Sequence, residues 1–194
     1  MGGGVDDPFG DERLQFFLRH RDDIREWAAI EKEVVSATRD ILAGLQTDID
    51  DQLAAIDPNV TTVRRDNGGY ERIMVRRPSW PDWVGVTLEW EVGVDPFGSR
   101  LPKFGIFVTT TPDLNAAYSR ILALSQATPA FAAGGFKMPE GRAWPMVKRI
   151  PKSKSWWREL DIWTTSITNG MIDLWPKAAA VIDDGLKEVS ATHP

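Results

Sequence analysis

Nine residues, Val84 to Val92, alternate without a fault. Val84, Val86, Leu88, Trp90 and Val92 fall on one side; Gly85, Thr87, Glu89 and Glu91 fall on the other. A period of two is the signature of a strand with one packed and one polar face. A strand of this kind needs neighbours, and the flanking sequence supplies them. Val60 to Asp66 and Tyr70 to Arg77 surround Asn67-Gly68-Gly69, a hairpin turn between β-branched runs. Turns at 78–82 and 95–99 separate the next segments, and Phe104, Ile106 and Val108 alternate again in a strand over Lys103 to Thr109. Trp144 to Ile150 is a fifth segment, which Pro145 restricts to a sheet edge.

On either side of these strands the period changes to three and four. Leu14, Phe17 and Leu18 start one helical face, and Asp22 or Asp23 can cap a second helix. Apolar residues from Ile24 through Trp27, Leu42, Leu45, Ile49 and Leu53 to Ile56 then form one stripe, which Pro58 stops. Such a helix has about 33 residues and reaches roughly 50 Å. Thr111-Pro112-Asp113 caps a helix carrying Ala117, Ile121 and Leu122, and 128–143 reads as a loop. A last stripe runs from Leu160 to Val189; Pro176 should kink or split it, and a helical hairpin is expected. Strands grouped between helices indicate an α+β fold. The expected architecture is a long N-terminal helix, an antiparallel sheet of four to five strands and a C-terminal helical hairpin. It forms one domain over 11–194 after a disordered tail at 1–10.

Composition narrows the chemistry. There is no cysteine and there are two histidines, so disulfides, thiolate metal sites and a multi-histidine metal site within one chain are excluded. No apolar run approaches the roughly 20 residues of a membrane helix. The acidic, glycine-rich start is unlike a signal peptide, and a cytoplasmic protein is expected. The net charge of −5 argues against bulk nucleic-acid binding. No phosphate-binding glycine motif is present, and no cofactor is expected. Nine tryptophans are an excess that suits either a core or an interface.

Charge is unevenly placed. Residues 1–57 hold 14 acids and 6 bases, whereas 137–158 hold 7 bases and one acid. The basic segment also contains Trp144, Trp156 and Trp157. Bases interleaved with rings can follow a nucleic-acid strand, and they suit an acidic protein face equally well. The plainer explanation is that they meet the acidic N-terminal helix or water. The candidate binding residues are Lys148, Arg149, Lys152, Lys154, Trp156, Trp157 and Arg158.

Glu89 and Glu91 lie two apart on one strand face, roughly 6.5–7 Å from each other, a separation that suits a divalent ion or an acid/base pair. Arg72 and Arg76 alternate on the preceding strand, and the ordinary explanation is a cross-strand ion-pair ladder on a solvated face. His20, between Arg19 and Arg21, reads as a surface residue between helices. Asp48, Asp50 and Asp51 lack the glycine and glutamate of a calcium loop.

From about Leu45 to Val108 a helix leads into a hairpin, then Ile73-Met-Val-Arg-Arg-Pro-Ser-Trp80, Val84-Gly-Val-Thr-Leu-Glu-Trp-Glu91 and Phe104-Gly-Ile-Phe-Val108. This layout is similar to the C-terminal part of some PD-(D/E)XK nuclease superfamily proteins, and to small uncharacterised bacterial proteins sharing only that part. Pro81-Asp82 followed by Glu89-Trp90-Glu91 imitates the nuclease motif, with Glu91 where the lysine belongs. The resemblance therefore implies a non-catalytic companion module in phage defence or counter-defence.

The expected function is a non-catalytic macromolecule-binding module with a protein partner, nucleic acid being the second choice. Two alternatives stand beside it. One is a divalent-metal, nuclease-like hydrolase using Asp82, Glu89 and Glu91. The other is a structural protein that self-associates through its helices.

Overall fold

The period-two segments pair as their alternation requires. In the computed structural model, which describes residues 11–66, 70–91, 102–109, 111, 114–151 and 159–191, five strands form one antiparallel sheet. They are β1 (Thr61–Asp66), β2 (Tyr70–Arg76), β3 (Val84–Glu91), β4 (Lys103–Val108) and β5 (Met146–Arg149), side by side in chain order. The expected strands and the edge position of the fifth are all present. The tail at 1–10 and Val92 lie outside the described residues.

Among the described residues five α-helices accompany the sheet: α1 (Glu12–Arg19), α2 (Arg21–Ala54), α3 (Asn115–Gln126), α4 (Pro129–Ala133) and α5 (Leu160–Ala191). On α2, Leu42, Leu45, Ile49 and Leu53 are buried at three- and four-residue steps. N-terminal to Arg39 none of its described side chains is buried. His20, not an aspartate, occupies the cap position of α2. On α5, Trp163, Ile167, Met171, Leu174, Trp175, Ala178, Ala179 and Ile182 are buried along one stripe. Val75, Val86, Ile106 and Met146 share a row across four strands of the face that these helices cover.

Four further expectations need correction. The C-terminal hairpin is one helix: Pro176 lies inside α5 with its ring on the exposed side. An interior proline costs about 3 kcal/mol. Burial of large side chains on both sides, at roughly 1.5–3 kcal/mol each, exceeds that penalty. Helix α3 starts at Asn115, beyond the expected cap; its N-cap is Leu114, which has no side-chain cap bond, while Pro112 and Asp113 lie outside the described residues. The segment read as a loop at 128–143 contains α4, which Pro129 starts and which buries Phe131.

The fourth correction concerns the polar face of β3. Every residue from Val84 to Trp90 is buried, so that face is covered too. Met74, Phe107, Trp144 and Val147 form a small second cluster on it. Two glycines make this covering possible. A Cβ on Gly85 would stand 2.7 Å from the Met74 side chain, and one on Gly105 would stand 2.1 Å from the Met146 carbonyl oxygen. The outer edge of β5 is occupied as well, since Lys137 and Val147 exchange both backbone hydrogen bonds, which blocks pairing with another chain there.

Candidate functional site

The alternation of β5 puts Lys148 on the helix-covered face, in register with Phe104. Beside it, α4 presents Phe131, and the turn after α4 presents Phe136. Gly135 makes that turn with φ of 76°, a conformation suited to glycine. Helix α5 closes the far side with Gly170, Asp173, Leu174 and Lys177. Gly170 allows the close approach, because a Cβ there would stand 2.9 Å from Cζ of Phe104.

The result is a partly open hollow of about 210 Å³ with an aromatic wall and a charged rim. Phe136 packs edge-on against Phe104 at 5.7 Å and against Phe131 at 6.0 Å between ring centroids. Nζ of Lys148 stands 5.8 Å from the Phe136 ring. Among the described residues neither Lys148 nor Lys177 is ion-paired. The arrangement can hold an apolar ring beside an anion.

Of the basic candidates, Arg149 is held by Glu140, with Nη2 donating to Oε1 at 2.6 Å. Its partner is thus a carboxylate nine residues away, not the acidic N-terminal helix. Lys152, Lys154, Trp156, Trp157 and Arg158 lie outside the described residues. Five of the nine tryptophans, at 80, 90, 144, 163 and 175, are core residues.

The carboxylate candidates divide. Glu89 is 6% exposed, and Arg72 stands directly across from it. Nε of Arg72 donates to Oε2 at 2.6 Å, and Nζ of Lys103 stands 3.1 Å from Oε1. Arg65, Arg72, Glu89, Lys103 and Arg149 occupy one row across all five strands. The Arg72–Glu89 rung of the expected ladder is therefore present, extended by Lys103, on a covered rather than a solvated face; Arg76 instead donates to the Trp80 carbonyl oxygen. Arg72 also lies 4.5 Å over Phe107, and Lys103 lies 4.7 Å over Trp144. Asp82 instead faces Arg65, at 3.9 Å. The Glu91 side chain lies outside the described residues. Among the described residues no three acidic or histidine side chains converge as a metal site requires.

A second polar cluster joins three distant parts of the chain. Arg77, after β2, donates from Nη2 to Asp57 at 2.9 Å and from Nη1 to Asp183 on α5. Burial alone would raise the Asp57 pKa. The Arg77 hydrogen bond, the Asn59 backbone N–H, the Arg77 charge and the Trp175 indole N–H outweigh it and hold the carboxyl below its usual value. The Asp57 bonds hold Arg77 above its own. A shallow hollow lined by Asp57, Asn59, Arg77, Pro78 and Ser79 lies beside this cluster. Since each of its charges already has a partner, the cluster reads as a clasp rather than a site.

The third feature is the arm made by α1 and the first half of α2. Phe16, Phe17, Leu18, Trp27 and Ile30 are exposed along it, and Trp27 is 63% exposed. His20 joins the two helices as expected, with Nδ1 3.4 Å from Asp23 and its ring 4.5 Å from Phe16. At the other end of the arm, Arg39 binds Glu71, fixing α2 to the β1–β2 hairpin. No described helix is long and apolar enough to cross a membrane.

No family model matches this chain, and neither a curated protein nor a solved structure matches it.

Sequence reasoning missed the aromatic hollow and the clasp. Phe104, Phe131, Phe136 and Lys177 carry no shared spacing. The pairs Gly134-Gly135 and Phe131/Phe136 were the signal available, a glycine turn that returns one ring onto another.

Proposed function

We propose that the chain is a non-catalytic binding module whose partner is a protein, contacted through the projecting arm. The observation that carries this reading is the set of exposed apolar side chains on α1 and α2, of which Trp27 is the largest and most exposed. Large rings left in water on a helix with no intramolecular cover suit an interface anchor. The engagement of Glu89 supports the non-catalytic side of the proposal. A carboxylate whose two oxygens are held by Arg72 and Lys103 offers neither to a metal or a proton transfer.

The test is capture of partners by tagged full-length protein and by its Trp27→Ala/Ile30→Ala variant, with nuclease-treated and untreated halves compared. A protein recovered in both halves by the native chain and lost with the variant is the expected result. Recovery that requires intact nucleic acid, or that is unchanged by the variant, overturns the reading.

A further inference from the structure

We infer that the aromatic hollow receives Trp27 from the arm of a second copy of this chain, so that copies join arm to hollow. The inference rests on the reading of the arm as a protein-contact surface, and it names the occupant. The two surfaces complement each other group by group. The hollow offers the half-buried Phe136 ring, backed by the buried rings of Phe104 and Phe131, and its volume of about 210 Å³ exceeds the ~150 Å³ that admits a benzene ring. An indole needs an acceptor for its N–H when buried, and Asp173 stands on the rim. Lys148 and Lys177 on the same rim are not ion-paired among the described residues. Trp27 has Asp23 four residues before it and Glu26 adjacent to meet these lysines, and Arg25 two residues before it as a match for Asp173; all three are exposed. Phe16 and Phe17 are exposed too, but a phenyl ring has no donor for Asp173 and leaves that carboxylate unused.

Within one molecule the two surfaces do not meet. Trp27 is 63% exposed, so its own hollow does not hold it. Arg39 fixes the arm at the β1–β2 hairpin, whereas the hollow lies against β4 and β5. The outer strands are four spacings apart, roughly 19 Å. Such a contact either closes about a two-fold axis, each arm seated in the other copy's hollow, or continues into a ring or a filament.

The test uses the full chain and measures mass by light scattering across a concentration series. The native protein is expected to exceed its monomer mass of 21.7 kDa as concentration rises. Raised salt should reverse this, because rim charges are screened. Two variants should remain monomeric: Trp27→Ala, which disables the arm, and Lys148→Glu/Lys177→Glu, which disables the rim. Mixed together, they should form a species of twice the monomer mass and nothing larger. In the mixture one intact arm meets one intact hollow, and neither remaining end can extend. Matching thermal transitions for the variants and the native chain establish that folding is unaffected. A native chain that stays monomeric throughout overturns the inference, as does a mixture of the variants that does not dimerise. If Trp27→Ala loses a captured partner while the native chain is monomeric, the inference falls and the arm reading stands. If Trp27→Ala changes neither capture nor mass, both fall.

Discussion

Trp80 and Trp175 pack with ring centroids 5.4 Å apart, and each donates its indole N–H to a different carboxylate, Asp183 and Asp57 respectively. Arg77 bonds to both carboxylates. The four side chains that surround Arg77 come from the α2–β1 connection, the β2–β3 turn and α5. Polar and aromatic contacts thus tie the last helix to the sheet at one point. Arg77→Ala should leave two carboxylates facing each other, at a cost of about 2–3 kcal/mol in this partly exposed setting. Chemical denaturation of the variant measures it.

The same clasp sets a pH dependence. The Asp57 pKa is lowered in the folded chain relative to its ordinary value of 3.8. A depressed carboxyl contributes stability that is fully present above the unfolded pKa and is lost as pH falls through the folded one. Thermal stability should therefore decline below about pH 4, and Asp57→Asn should flatten that decline. A melting series from pH 7 to pH 2 on both proteins tests it; identical slopes would remove Asp57 as the cause.

Glu89→Gln should destabilise the fold by about 2–3 kcal/mol, because Arg72 and Lys103 would lose their shared counter-charge beneath a covered face. Should Glu89→Gln abolish a metal-dependent cleavage yet melt with the native protein, the ladder would not be its role.

Two glycines should respond in opposite directions. Gly44 lies in α2 with nothing within 4 Å of an added Cβ, so Gly44→Ala should stabilise by about 0.5–1 kcal/mol. Gly105→Ala would drive a methyl group into the Met146 carbonyl and push β5 off β4, costing about 2–3 kcal/mol. Denaturation midpoints of the two single variants decide both.

Trp27→Ala should leave stability within about 0.5 kcal/mol of native, since the residue touches no core cluster. Trp175→Ala should cost about 3–5 kcal/mol, through a cavity under the sheet. Equal effects in a melting experiment would contradict the division between an exposed and a buried ring.

Local periodicity determined much of this protein. The alternation of Val84 to Trp90 sufficed for β3, Asn67-Gly68-Gly69 for the position of the β1–β2 turn, and the stripe from Leu42 to Leu53 for the buried face of α2. These depend on neighbours a few residues away, so they are written in the order of the chain. Pro176 misled for the complementary reason: its penalty is local, while the burial that overrides it comes from strands and helices elsewhere. The cover over the polar face of β3 was equally hidden, because Trp144, which packs on Phe107 and under Lys103, lies 55 positions beyond Glu89 in the chain. The clasp at Arg77 joins residues 20 and 106 positions away, and the hollow beside Lys148 gathers rings from three elements. Periodicity states which side of a segment faces inward; only the packed sheet and helices decide which residues meet there, and whether a charge faces water or a partner.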